Sequence, residues 1–354
     1  MQKTVKRDSE KKNYDFIDAI RCIAMIGIVA EHSVGTYPFV YDTPLYWTQI
    51  VLIQAAKFGT VAFFLLAGFL ISEKFTAYTP GEYLKRRIST TFGPWVFWSL
   101  IYVIAMVINM AVKERIYHRG EFNLANIMHN IEVVYLYTNY WFIINFLISI
   151  TILLVFRRYL YKLYFGLALL LFTLFYSVNI HYGWIESSHT TAILGFVFFL
   201  WLGAQLRKHW QKIETWLNKV PYAPIVFMVM LGFALAVYEA HRLAGGNVDP
   251  LNTLRISCLL YSLTVFVLLL KIKNFRFTTY LKPRQTTFGI YLIHYIVLIF
   301  ILPELLIHFN FDVVKMSVLQ FVAVKTISFL IVYAITFCVV RLINLSRARM
   351  LVGN

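Results

Sequence analysis

Charge is what this chain has least of. Asp, Glu, Lys and Arg together make up 14% of its 354 residues, against about 25% in an ordinary globular domain. Acidic residues are the scarcer sign, 17 against 33 basic ones. Cysteine occurs three times, as Cys22, Cys258 and Cys338, each inside an apolar run and none in a CxxC pair. That spacing excludes a disulfide framework and a metal site, and leaves all three as small core residues. No P-loop, GxGxxG or GxSxG string is present, no carboxylate pair is spaced for glycoside chemistry, and no tandem repeat or low-complexity segment interrupts the chain.

What abounds is apolar. Hydrophobic residues make up 60% of the chain and aromatics 18%, and the mean hydropathy is +0.67. Apolar runs recur along the whole length, each close to the roughly 20 residues a helix needs to cross a bilayer. They predict an all-α polytopic membrane protein with ten spans, at 16–36, 58–72, 88–111, 140–156, 163–180, 190–206, 222–238, 254–270, 286–307 and 317–340. Pro94, near the start of the third, is expected to kink it. With the N-terminus inside, 25 of the 33 basic residues fall in segments on the inner side. The positive-inside rule therefore places both termini in the cytoplasm. The net charge of +16 is thus a topology signal before anything else, and no nucleic-acid partner is expected. One membrane domain over 14–343 sits between a tail at 1–13 and another at 344–354. The polar, basic start and the lack of a small-residue cleavage pattern predict an uncleaved first span.

Ionisable groups inside spans are costly and default to function. In "YDFIDAIRCIAMIGIVAEHS", His32 follows Arg21 by eleven residues, about 16 Å along a helix. Arg21 then lies near the inner surface and His32 in the outer half of the span. Asp18 can pair with Arg21 at i,i+3, and a structural ion pair is the plain reading of those two. Glu31 projects about 100° from His32 and is a poor orienter for it, free to face another span. In "TTFGIYLIHYIVL", Tyr291 and His294 share a helix face. Asn139 and Trp141, in "TNYWFI", sit at an outer mouth, where such residues are also ordinary interfacial anchors. Glu73 and Lys74 close the second span. Lys57, Lys325 and Glu304 lie near span ends, where they are expected to snorkel without chemistry. The HxxxD string formed by His308 and Asp312 straddles a span end and lacks the soluble fold that string requires.

Taken together, these stretches resemble the membrane acyltransferase-3 family, which O-acylates carbohydrates, lipids and related acceptors. "DAIRCIAMIGIVAEHS" fits the family's Arg-x10-His as Arg21 and His32. "VAFFLLAGFLIS" is similar to its Phe-Phe-x-x-Ser-Gly run, with Ala67 in place of serine. "NYWFIINFLISI" is similar to a His-Leu-Trp-Phe-Leu run, with Asn139 in place of histidine. "FGIYLIHYIVL" resembles the Tyr-x-x-His near span nine, and "FFLWLGAQLRK" fits a Phe-x-x-Gly segment more loosely. Each motif alone is weak; their order over residues 14–343 carries the resemblance. One departure stands out: the family's Arg-x-x-Arg before span three is replaced by Lys85, Arg86 and Arg87 followed by Thr90 and Thr91.

The resemblance implies an O-acyltransferase of the inner membrane with acyl-CoA, most often acetyl-CoA, as donor. A carbohydrate or lipid-linked glycan is the implied acceptor, with no permanently bound cofactor. Imidazole suits a general base near neutral pH, so His32 is the expected base and Arg21 serves the inner end of the same path. Tyr291, His294, Asn139 and Trp141 are expected to bind substrate. Lys85, Arg86 and Arg87 are expected to meet the donor phosphates, although a plain topology signal explains that cluster equally well. Three rivals stand beside this reading. A glycan or lipid transporter would suit ten spans, but the halves show no similarity and Gly and Pro are few in the spans. A different membrane acyltransferase class centred on His294 would leave Arg21 and His32 unexplained. A degenerate sensor or scaffold is the third.

Overall fold

The computed structural model describes residues 14–72, 79–118, 120, 122–246, 249–307, 309 and 312–354. The tail at 1–13, Glu73, Lys74 and His308 lie outside these residues. Fifteen α-helices follow one another among the described residues: α1 (Asp15–Val34), α2 (Pro44–Ala56), α3 (Gly59–Ser72), α4 (Pro80–Arg87), α5 (Gly93–Tyr117), α6 (Leu124–Leu136), α7 (Trp141–Val155), α8 (Leu163–Tyr182), α9 (Val197–Lys208), α10 (Trp210–Lys219), α11 (Tyr222–Ala244), α12 (Ile256–Ile272), α13 (Pro283–Ile296), α14 (Leu302–Leu306) and α15 (Val318–Leu345).

Local sequence accounts for the starts and breaks. Thr43 caps α2 by accepting from the Tyr46 amide, with Pro44 in the first turn, where its missing N–H costs nothing. Thr79 and Glu82 form a capping box on α4, and these bonds hold the exposed Glu82 carboxyl below its usual range. The kink expected at Pro94 takes the form of a π-helical turn, Ile88–Phe92. Proline supplies no amide to the carbonyl four residues back, and the wider turn absorbs the gap. Val297–Ile301 repeats the device just before Pro303.

Among the described residues, six helical stretches are long and apolar enough to cross a membrane, or up to seven if the bent pair α6–α7, which turns by 53°, counts as one span. This makes the chain a multi-pass membrane protein. The expected second span is longer than the sequence suggested, because α2 and α3 run together as Pro44–Ser72, 29 residues. Others are shorter. Helix α9, overlapping the expected span 190–206, has 12 residues, about 18 Å against a hydrocarbon core of about 30 Å. Helix α1 is 20 residues long but carries Asp18, Arg21 and Glu31.

Side chains sort as a bilayer requires. Leu100, Ile104, Ile108 and Val112, spaced by four on α5, are each at least half exposed. In water such an apolar stripe would be a liability; facing lipid it is the ordinary surface. Inside, Thr173, Ser177, Ser262 and Thr336 are buried and donate to carbonyls four residues back. Helices α3 and α9 touch at backbone distance: a Cβ on Gly68 would lie 1.9 Å from the Leu200 carbonyl oxygen, and one on Gly203 2.1 Å from that of Leu65. Small residues at the crossing are what let two membrane helices approach so closely. Cys22 and Cys258 are buried as expected, but Cys338 is exposed on α15; all three are free.

Candidate active site

Two cavities lie along α1. One, of about 530 Å³, is lined by His32 and Glu31 near the C-terminal end of that helix. The other, of about 290 Å³, is lined by Arg21 and Met25 toward its N-terminal end. Phe142 and Tyr291 belong to the walls of both, with ring centroids 5.5 Å apart. The cavities are back to back.

The bonding around His32 sets its chemistry. Its Nδ1 lies 2.8 Å from Nε2 of His294, with the two ring planes within 6° of each other. His294 Nδ1 lies 3.0 Å from the Ile290 carbonyl oxygen. A carbonyl only accepts, so this pattern assigns the His294 proton to Nδ1 and leaves Nε2 as an acceptor. His32 must then donate from Nδ1, which puts the lone pair of its neutral ring on Nε2. His294 itself is fully buried and lines neither cavity. The expectation had placed it on the pocket wall. One turn beyond Tyr291, it instead stands behind His32 and orients it.

Tyr291 and Asn139 clasp two elements together. The Tyr291 hydroxyl donates to the Asn139 carbonyl, and Asn139 Nδ2 donates to the Tyr291 carbonyl at 3.0 Å. The Tyr140 hydroxyl adds a bond to the Leu292 carbonyl, 2.9 Å. These bonds pin the α6–α7 corner to α13. Asn139 Oδ1 remains buried with no protein partner among the described residues. An unmet buried acceptor is costly, and this one belongs to a residue of the chamber wall. Trp141 lines the same chamber.

Lys57 does not snorkel. It sits at the break between α2 and α3, is buried, and its Nζ is 2.5 Å from Glu31 Oε1. Glu31 thus faces another helix rather than His32. Lys325 is also buried, donating to the Tyr37 hydroxyl at 2.9 Å.

His189, in the loop between α8 and α9, completes this wall. Its ring stacks on Trp141 at 4.5 Å and 18°. Burial, with Lys57 nearby, pushes its pKa down to about 4, so it is neutral at pH 7. It was missed because "SSHTT" is a polar loop with no helical period around it. The segment that meets it, residues 249–255, is anchored by Arg255, which is fully buried. Arg255 donates to the Ala236 carbonyl at 2.8 Å, to the Asn252 carbonyl at 3.2 Å and to Gln54 Oε1, with Glu239 at 3.8 Å.

The second chamber is built from arginines. Arg21, Arg87 and Arg284 line it. Asp18 meets two of them, Arg21 at 3.2 Å and Arg284 at 2.6 Å. Three cations around one carboxylate leave an excess of positive charge. Arg87 donates to the Tyr83 hydroxyl at 2.7 Å. Thr90, Thr91 and Ala67 share this wall. Lys85 and Arg86 are exposed on α4 and line neither cavity. Of the basic trio, therefore, only Arg87 reaches the chamber, and Arg284, which motif reasoning passed over, joins it. Among the described residues no group of three or more His, Cys, Asp or Glu is placed to hold a metal ion.

Together the two chambers set an imidazole at one end of α1 and guanidinium groups at the other. The family model described as "Acyltransferase domain" matches residues 14–337. The chain belongs to the acyltransferase-3 family and is a membrane acyltransferase. No curated protein and no solved structure matches it.

Proposed function

We propose that this chain is an O-acyltransferase of the inner (cytoplasmic) membrane. It moves an acyl group, acetyl by family habit, from acyl-CoA to a hydroxyl of a carbohydrate or lipid-linked carbohydrate. In this reading the Arg21 chamber opens to the cytoplasm and the His32 chamber to the outside. The chain crosses ten times, with α1, α9 and α12 joining the seven candidates, and both termini are cytoplasmic. The internal pairing of Asp18 with Arg21 and of Glu31 with Lys57 supports α1 as a span, since paired charges are the kind a membrane helix tolerates.

The observation that carries the proposal is the carbonyl–His294–His32 chain beside a shared wall. Donor phosphates bind the cations at Arg21, Arg87 and Arg284, where charge-assisted bonds are strongest. The pantetheine arm extends past Phe142 and Tyr291 toward His32. There Nε2 takes the proton of the acceptor hydroxyl while the oxygen attacks the thioester carbonyl. The tetrahedral intermediate collapses, the C–S bond breaks, and the proton passes from Nε2 to the leaving thiolate. The products are an O-acyl ester and coenzyme A thiol. His32 Nδ1–H stays bonded to His294 throughout.

The test is transfer of radiolabel from acetyl-CoA into glycan or lipid of a crude envelope extract, by purified wild type and His32→Ala in nanodiscs. Label moved by wild type and lost in a folded His32→Ala protein is the expected result. Equal labelling by both removes His32 from the mechanism.

A further inference from the structure

The wall of the His32 chamber holds a group that proton transfer does not use. His189 Nε2 accepts the Thr253 backbone N–H at 3.3 Å and lies 3.2 Å from the Thr253 hydroxyl. An amide only donates, so the ring proton is on Nδ1. Among the described residues none accepts from that Nδ1. The ring is nevertheless held firmly. Trp141 covers one face, and the His189 carbonyl accepts from Asn145 Nδ2 at 2.7 Å. Two residues back along the loop, Asn252 Nδ2 donates to the Ser187 carbonyl at 2.5 Å. A neutral N–H donor is thus fixed in the wall of the cavity that His32 also lines.

A fixed N–H donor and a proton-accepting imidazole around one cavity match a molecule with several hydroxyls, since each hydroxyl can both give and take a hydrogen bond. Charge narrows the class. The chamber's carboxylates are Glu31, Glu186 and Asp249, and its one ammonium, Lys57, is already paired to Glu31. The surplus is negative, which disfavours a second anion in a confined site.

Building on the acyltransferase reading above, we propose that His189 is an acceptor-binding residue, donating from Nδ1 to a hydroxyl of an uncharged sugar. Trp141 acts behind it, as the surface that sets the His189 ring. The site selects neutral glycans over those bearing carboxylate, sulfate or phosphate groups.

The experiment is binding of the full-length protein, in nanodiscs, to an array of neutral, uronate-containing, sialylated and phosphorylated glycans. Wild type, His32→Ala, His189→Phe and His189→Gln are compared, each checked for a monodisperse fold and a thermal midpoint near that of wild type. Wild type is expected to bind neutral glycans in preference to anionic ones. His189→Phe keeps the flat ring on Trp141 but has no donor, and is expected to bind at least tenfold more weakly. His189→Gln restores an N–H and recovers part of the loss. A preference for anionic glycans, no glycan binding by wild type, or unchanged binding by His189→Phe would overturn the inference. His32→Ala separates the two levels of the account. It is expected to bind neutral glycans more weakly than wild type, still in preference to anionic ones, and to transfer no label. If it binds and still transfers, the assignment of His32 falls while the His189 subsite stands.

Discussion

The two chambers share two wall residues and one helix, yet they are chemically opposite. At the Arg21 end three guanidinium groups line the chamber, two of them paired to a single carboxylate. At the His32 end carboxylates outnumber ammonium groups and the working groups are neutral imidazoles and an amide. In the proposed function, one end meets a strongly anionic molecule and the other an uncharged one. The difference matches what the proposed acyl transfer across a bilayer would handle: a donor dense in phosphate on one side, a hydroxyl on the other, and a thioester between them. One helix carries both ends because eleven residues of α-helix already span about 16 Å.

That contrast can be broken at either end. Replacing His32 with alanine removes the base and is expected to lower transfer by about 10²–10⁴-fold, with donor KM little changed, as measured by label transfer at several acetyl-CoA concentrations. Replacing Arg21 with methionine should do the reverse. Loss of a charge-assisted bond worth about 1.5–3 kcal/mol raises the donor KM about 10- to 100-fold, and added salt narrows the gap between wild type and variant. His294→Phe leaves His32 Nδ1–H without its acceptor, at a cost of about 1–3 kcal/mol in the reaction barrier. His294→Gln offers a carbonyl oxygen in its place and is expected to recover much of kcat, which a purely packing role for His294 would not produce. Smallest of all is the pair Lys85→Ala and Arg86→Ala. Both side chains are exposed and line neither chamber, so donor KM should move by less than about threefold. A larger rise would extend the donor site out onto α4.

Much of this was legible in the chain itself. Helical class and membrane residence follow from composition, and Arg21, His32 and Tyr291 stand out because polar groups inside apolar runs are expensive, while Asn139 stands out only through the motif it resembles. What escaped did so for identifiable reasons. His189 belongs to a polar loop, where a histidine costs nothing and carries no signal until the fold brings Trp141 and Thr253 to it. Lys57 looked like a residue at a span end because the break at 57–58 hides the continuity of Pro44–Ser72. Arg284 follows Pro283 in a basic turn that topology alone explains, and only the fold sets it against Asp18. His294 was placed on the wall because it shares a face with Tyr291. The contact that defines it, with His32, crosses 262 residues of sequence.

The central claim is that the two chambers form one route from a donor on the Arg21 side to an acceptor on the His32 side. Sided proteoliposomes test it directly, with the orientation of the protein fixed by protease accessibility of the Arg21 face. Labelled acetyl-CoA is supplied to that face alone, and glycan-containing envelope extract is trapped in the lumen on the other. The account predicts label in the trapped glycan, and none when the extract is placed only on the donor side. Labelling confined to extract on the donor side would contradict it.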